Sequence, residues 1–216
     1  MQIGILGGTG PAGRGLAVRS AAAGHQVIIG SRDTTRAAEV AAGINAAHSE
    51  RGLAIHGAAN EEAASADLIV VATPWEGAVA TVRPLAATLN GKVVVSMVNA
   101  LMKQGREMLP LIPPRGSMAG QISAALPGVA LAAAFHHLPA SEMEVLDSGL
   151  EADVLVCGDD AEAKAATIEL TNSIAGLRGI DAGSLAQASP IEAFTAVCIT
   201  MNISHRAHST LRIAGL

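Results

Sequence analysis

Aromatic side chains are almost missing from this chain of 216 residues, which has one Trp, two Phe and no Tyr. A core of stacked rings is excluded, so the apolar half of the sequence has to pack through Ala, Val, Leu and Ile. Trp75, Phe135 and Phe194 are therefore positions worth locating. Cysteine is equally scarce. Cys157 and Cys198 lie far apart and form no Cys-x-x-Cys pair, which excludes a disulfide framework and leaves no structural zinc or redox dithiol to expect. The bland reading is two free thiols in a reducing compartment. No basic stripe and no amphipathic Lys/Arg helix is present, and the net charge is -5, so neither nucleic acid nor an anionic membrane is an expected partner. No apolar run reaches the roughly 18 residues of a membrane span. The first basic residue, Arg14, follows the apolar start instead of preceding it, which does not fit a signal peptide. The expectation left by these absences is a cytoplasmic protein with no bound metal, acting on a small molecule.

The chain is organised around its first thirteen residues. Ile3-Gly4-Ile5-Leu6 fits a short buried strand and runs into Gly7-Gly8-Thr9-Gly10-Pro11-Ala12-Gly13, where Gly8, Gly10 and Gly13 make Gly-x-Gly-x-x-Gly. Arg14 to Ala23 reads as a helix stopped at Gly24, with Pro11 suited to a first helical turn. Its N-terminus would aim unpaired N–H groups and a positive dipole end at the glycine loop, an arrangement that suits a pyrophosphate. The strand His25 to Ile29 closes the unit. Strand, glycine turn, helix and strand together point to a dinucleotide site, with Gly8, Thr9, Gly10, Pro11, Ala12 and Gly13 as its phosphate loop.

The next stretch bears on which dinucleotide. An NAD-binding unit carries an acidic residue roughly 20 residues beyond the glycines, to accept the ribose hydroxyls. Here Gly30-Ser31-Arg32-Asp33-Thr34-Thr35-Arg36 offers a hydroxyl and two guanidinium groups, and Asp33 reads as the cap of the following helix. Ser31, Arg32 and Arg36 suit the 2′-phosphate of NADP.

Further strands are expected at Ala54 to His56, Asp67 to Ala72, Lys92 to Ser96, Val129 to Phe135, Ala152 to Asp160 and Arg178 to Asp181, with helices between most of them. In doubly wound sheets ligands lie beyond the carboxyl ends of the strands, which directs attention to Thr73, Pro74 and Trp75, to Val98 and Asn99, and to Ala134 and His136. Trp75 as simple packing at a helix start is the alternative. Glu76 to Leu89 reads as one helix, and Leu101 to Pro114 as an irregular loop or lid. His136 and His137 are adjacent and cannot face one way on a strand, so a shared metal is not expected. Asp159 and Asp160 read as helix-cap charges. The fold class is α/β: a Rossmann-type doubly wound parallel sheet over residues 1–182, with a small C-terminal helical appendage over 183–216. Ile191 to His208 reads as a long apolar helix, and the terminal segment Pro190 to Leu216, with Ile191, Phe194, Val197, Ile199, Met201 and Ile203 needing cover, predicts a homodimer built partly from it.

The chain resembles the deazaflavin-dependent NADP reductases, which pass hydride between NADPH and coenzyme F420. Gly7-Gly8-Thr9-Gly10, Ala23-Gly24-His25, Gly30-Ser31-Arg32, Pro74-Trp75-Glu76, Phe135-His136-His137 and Val156-Cys157-Gly158-Asp159-Asp160 carry the resemblance nearly end to end. It implies NADP(H) as cofactor and F420 as co-substrate, with the deazaflavin over the nicotinamide. It also implies Thr9 to Ala12 on the pyrophosphate, Ser31, Arg32 and Arg36 on the 2′-phosphate, and Val98, Asn99, Ala134 and His136 around the stacked rings. His137, Pro139 and Asn202 are candidate substrate contacts. No side chain is required as acid or base, and His136 would orient a ring or a carbonyl. The sequence departs from the family pattern at Asn99-Ala100-Leu101, where many members have Asn-Pro-Leu, and at Asn202-Ile203-Ser204, where they have Asn followed by two Arg. These departures keep open an NADPH-dependent reductase of a small carbonyl or imine compound, with His136 or His137 as proton donor. A nucleotide-sensing module is the third possibility. The apolar pocket expected around Trp75, Asn99 and His136 speaks against it.

Overall fold

Segments such as Leu68 to Val71 and Val93 to Val95 carry apolar side chains on both faces, so only burial on both sides satisfies them. The computed structural model describes residues 1–216 and builds them into the middle of a sheet. The strands are β1 (Gln2–Leu6), β2 (Gln26–Ser31), β3 (Ile55–Ala59), β4 (Leu68–Val71), β5 (Val93–Ser96), β6 (Leu101–Gln104), β7 (Glu107–Pro110), β8 (Ala130–Ala133), β9 (Ala152–Gly158) and β10 (Leu177–Asp181). Eight form one sheet in the order β10-β9-β8-β5-β4-β1-β2-β3. The six from β3 to β8 run parallel in the doubly wound order, with the reversal between β1 and β4.

The expected doubly wound parallel sheet is present, with one addition at an edge. β9 pairs with β8 antiparallel, and β10 follows β9 in parallel, so these two strands oppose the other six. The connection from β8 to β9 holds only a four-residue helix, which lies on the first helix instead of covering the sheet.

The helices are α1 (Pro11–Ala22), α2 (Thr34–Ala47), α3 (Asn60–Ala63), α4 (Ala78–Val82), α5 (Ala86–Leu89), α6 (Met118–Ala125), α7 (Ala140–Met143), α8 (Ala161–Ser173) and α9 (Ala188–His205). Strand alternation divides the core in two. Ile3, Ile5, Leu68, Val70 and Val95 pack with Leu16, Val18 and Leu170 of α1 and α8 on one face. Leu6, Ile69, Val71 and Val94 pack with Val82, Leu89 and Ile122 of α4, α5 and α6 on the other. Phe135 joins the first cluster, Trp75 borders the second, and Phe194 stays exposed.

Two expectations about local structure are overturned. Glu76 to Leu89 is not one helix: a 3-10 turn at Trp75–Gly77 leads into α4, and a second at Arg83–Leu85 separates α4 from α5. Pro84 sits in that second turn, where it can donate no helical hydrogen bond. Leu101 to Pro114 is not an irregular lid, because β6 and β7 make an antiparallel hairpin turned at Gly105 (φ 61°) and Arg106. The hairpin is fastened to α9, whose Thr200 Oγ1 accepts a bond from the Met108 N–H at 2.9 Å. The C-terminal segment is also less helical than expected. After Arg206 (φ 51°) the chain returns to the sheet edge, where the Leu211 carbonyl accepts from Asp153 N–H at 2.7 Å. The buried Asp153 carboxylate receives the Arg178 guanidinium at 2.8 and 2.7 Å and the Ile213 N–H at 2.6 Å, and these bonds hold its pKa down to about 2.

Candidate functional site

The carboxyl ends of β1, β2, β4, β5 and β8 share one edge of the sheet, and the glycine turn, Arg32, Thr73 to Trp75, Val98 and Asn99, and Ala134 to His136 follow those ends directly along the chain. The turn after β1 is tight: Gly8 N–H donates to the carbonyls of Ile5 at 3.1 Å and Gly30 at 3.0 Å, and Gly7 N–H to Asn60 Oδ1 at 3.0 Å. Gly10 and Gly13 are glycine for different reasons. A Cβ on Gly13 would lie 2.6 Å from Gly8 Cα, so α1 can approach β1 only without it. A Cβ on Gly10 would meet no protein atom within 4 Å, and its backbone (φ -77°, ψ 165°) is open to any residue. The fold therefore does not need glycine at position 10. A ligand that must approach the backbone there does, and this is the role of the middle glycine in a pyrophosphate loop. Gly10 precedes α1 with no side-chain cap, Pro11 is the first helical residue, and Pro11 and Ala12 are exposed while Thr9 is buried. The helix N-terminus thus offers its N–H groups outward.

At the tip of β2, the nearly buried Ser31 hydroxyl accepts the Asp33 N–H at 3.1 Å, and Asp33 caps α2 by accepting the Arg36 N–H at 3.1 Å. The carboxylate that a ribose-binding role would need is therefore committed to the helix. Arg32 and Arg36 are exposed and form no ion pair. Two free guanidinium groups beside a hydroxyl fit a phosphate monoester better than a diol. Arg14, the other cation near the loop, is bound to Glu144 at 2.9 Å.

The mouths of β4, β5 and β8 form the other half. Thr73 packs its methyl against Gly7, and its buried Oγ1 has no protein partner. Pro74 begins the 3-10 turn that carries Trp75. Trp75 packs against the second core cluster and also lines a mostly apolar cavity of about 320 Å³ with Leu111, Ile112, Pro113 and Met118, which neither Asn99 nor His136 reaches. Val98 and Ala134 are buried walls, and the Ala134 N–H continues the ladder to Ser96 O at 3.0 Å.

Asn99 and His136 form one unit. The Asn99 Nδ2 donates to the backbone carbonyl of His136 at 3.2 Å, and its Oδ1 lies 3.0 Å from His136 Nδ1. A carbonyl can only accept, so the amide nitrogen must face it; Oδ1 then faces Nδ1, and Nδ1 must carry the ring proton. His136 is 5% exposed, and burial together with the neighbouring His137 pushes its pKa down to about 3, so the ring is neutral. Its Nε2 is left as a bare acceptor, buried and without a protein partner. Phe135, just before it, is held at φ 66°, a conformation costing on the order of 1 kcal/mol or more that persists where its surroundings impose it.

Three predicted contacts are engaged with the protein itself. His137 Nε2 donates to Ile191 O at 2.8 Å, and its ring meets Phe194 edge-on at 5.4 Å. Pro139 starts α7 and offers its carbonyl to Glu142 and Met143. Asn202 Oδ1 accepts from the Ser209 N–H at 2.8 Å and hydroxyl at 2.7 Å, closing the turn after α9. Sequence reasoning missed Thr195 and Glu192, both buried on α9. Thr195 Oγ1 lies 3.3 Å from Asn99 Oδ1 and from His136 O. Glu192 accepts the Met118 and Ala119 N–H groups at 2.7 and 2.9 Å, capping α6, although burial raises its pKa to about 7.

A glycine turn open to a pyrophosphate at the switch point of a doubly wound sheet defines a Rossmann dinucleotide-binding protein. The family described as "NADP oxidoreductase coenzyme F420-dependent" matches residues 2–100. The chain is 37% identical to the F420-dependent NADP reductase of Methanocaldococcus jannaschii over 224 aligned positions, covering all of this chain and 99% of that one. It is 32% identical to the reductase of the same name from Methanothermobacter thermautotrophicus, covering 96% of that protein. A crystal structure of a putative F420-dependent NADP reductase from Arthrobacter superposes with a TM-score of 0.83 at 29% identity, covering 99% of both chains. The chain belongs to the F420-dependent NADP reductase family.

Proposed function

We propose that this protein is an NADP-dependent oxidoreductase that transfers a hydride directly between NADP(H) and the deazaflavin coenzyme F420. The observation that carries this reading is the end-to-end match to reductases of that name at 37% identity. The N–H groups of the loop Gly8, Thr9, Gly10, Pro11, Ala12 and Gly13, Pro11 excepted, hold the pyrophosphate. Ser31, Arg32 and Arg36 hold the 2′-phosphate. Thr73, Pro74 and Trp75 border the nicotinamide half, and Val98, Asn99, Ala134 and His136 line the place where the two rings meet.

The bound nucleotide and deazaflavin supply the electronics of hydride transfer; the protein supplies alignment and a dry wall. Val98 and Ala134 give that wall. Reduction of F420 by NADPH places the hydride on a ring carbon of the deazaflavin and takes one proton at a ring nitrogen, which water can supply. The protein offers no side-chain acid, because the His136 ring N–H is bonded to Asn99 and that of His137 to Ile191. Reduction of a carbonyl or imine would require a proton from one of them, and burial lowers the pKa of both. This favours F420 over the carbonyl or imine alternative.

The two-part division at residue 182 is part of this reading, with α9 closing the ring pocket against the Rossmann sheet. So is a cytoplasmic homodimer. No helix is long and apolar enough to cross a membrane. Phe194, Val197 and Met201 make an apolar stripe on α9, at 40, 49 and 41% exposure, that a second copy would cover. The test of the reaction is to mix the protein with NADPH and oxidised F420: the visible absorbance of the deazaflavin should bleach as NADPH is consumed. No bleaching at any pH refutes the proposal.

A further inference from the structure

We infer that Thr195 on α9 is a positioning residue for hydride transfer, fixing Asn99 and His136 in a single hydrogen-bonded state at the mouths of β5 and β8. The inference rests on the reading of the site given above. Thr195 is 4% exposed, and its hydroxyl lies 3.3 Å from two oxygens, Asn99 Oδ1 and His136 O. Both are acceptors in the orientation already derived, so the single hydroxyl hydrogen is shared between them.

The helix does not need this contact to stay in place. Glu192 already ties α9 to the start of α6 with bonds of 2.7 and 2.9 Å, and Thr200 ties it to β7 at 2.9 Å. The longer bonds of Thr195 go instead to Asn99 and His136, the two residues that the proposed function places beside the stacked rings. With Thr195 and His136 in place, the Asn99 amide has both carbonyl bonds and one N–H committed, leaving one N–H unassigned. Removing the hydroxyl withdraws the donor that both oxygens share. Asn99 is then held only by its 3.2 Å bond to His136 O and its 3.0 Å contact with the ring, so a side chain swung away from both gains population, and with it the other ring tautomer. Cofactor binding, which rests on the glycine turn and the arginines, should be little affected.

Thr195→Val removes the hydroxyl at nearly constant volume, and Thr195→Ser retains it. The full-length variants are compared by single-turnover hydride transfer from NADPH to F420, by the NADPH dissociation constant, and by the nitrogen-15 signals of the His136 ring. One lost hydrogen bond predicts a roughly tenfold slower transfer in Thr195→Val with an NADPH dissociation constant within about twofold of wild type. The ring should change from a pure Nδ1–H form to a mixture. Thr195→Ser should restore both. An unchanged rate and ring signal in Thr195→Val overturns the inference, as does a loss of NADPH affinity equal to the loss of rate, or a Ser variant as slow as Val. Should wild type not reduce F420 at all, the proposed reaction falls by itself, and the ring signals decide the positioning role: a mixture in Val and not in Ser supports it, and an unchanged Nδ1–H form overturns it.

Discussion

At the scale of single residues, the phosphate loop separates positions that the fold requires from positions that a ligand requires. Gly10→Ala adds a methyl to open space, so its effect on stability should stay within about 0.5 kcal/mol, while NADPH binding weakens at least about tenfold because the methyl stands where the pyrophosphate must approach. Gly13→Ala should do the reverse first. Its Cβ lies 2.6 Å from Gly8 Cα, and such overpacking costs about 1 to 3 kcal/mol. Thermal unfolding and NADPH titration of both variants check the pair, and a destabilised Gly10→Ala contradicts the account. Arg32 is the second residue-scale case. A charge-assisted contact to the 2′-phosphate is worth about 1.5 to 3 kcal/mol, so Arg32→Ala should raise the Michaelis constant for NADPH roughly ten- to a hundredfold. NADH, which has no such phosphate, should be used as before. Equal weakening of both nucleotides would mean that Arg32 supports the loop.

At the scale of elements, α9 is joined to the Rossmann sheet through Glu192 at the start of α6, and that junction should respond to pH. Burial raises the Glu192 pKa from 4.5 to about 7. The folded chain therefore holds this proton more tightly than the unfolded chain does. Its contribution to stability is complete below about pH 4.5 and is lost as pH rises to about 7, by up to about 3 kcal/mol. Glu192→Gln should remove this part of the pH dependence, so the difference in melting temperature between variant and wild type should change across the window. A constant difference refutes it.

The elements also show where sequence is informative. The strand, glycine turn and helix of residues 2–22 were legible because every signal is local, as was the Asp33 cap. The hairpin of β6 and β7 was hidden by Pro110 and by the prolines that follow, although Gly105-Arg106 is a two-residue turn with glycine where positive φ is needed. Thr195 and Glu192 carry no local signal. The partners of Thr195 lie 59 and 96 residues away and those of Glu192 lie 73 and 74 away, and only the packing of α9 brings them together. The reversal of β9 was unreadable for the same reason, since strand direction depends on where the preceding connection packs.

At the scale of the whole molecule, the sheet edge brings the glycine turn, the arginine pair and the Asn99–His136–Thr195 cluster into line, although they come from both ends of the chain. This arrangement leaves the apolar stripe of α9 uncovered. Light scattering at micromolar concentration should give twice the 21.7 kDa chain mass, and Val197→Glu should shift it toward the monomer. A wild-type monomer contradicts the proposed assembly without touching the chemistry. The chemistry is tested most directly by NADPH carrying deuterium at the transferring position of its nicotinamide. With this protein and oxidised F420 in ordinary water, the account predicts that the deuterium is recovered in the reduced deazaflavin. Reduced deazaflavin without the label, or no reduction at all, would contradict direct transfer between two aligned rings.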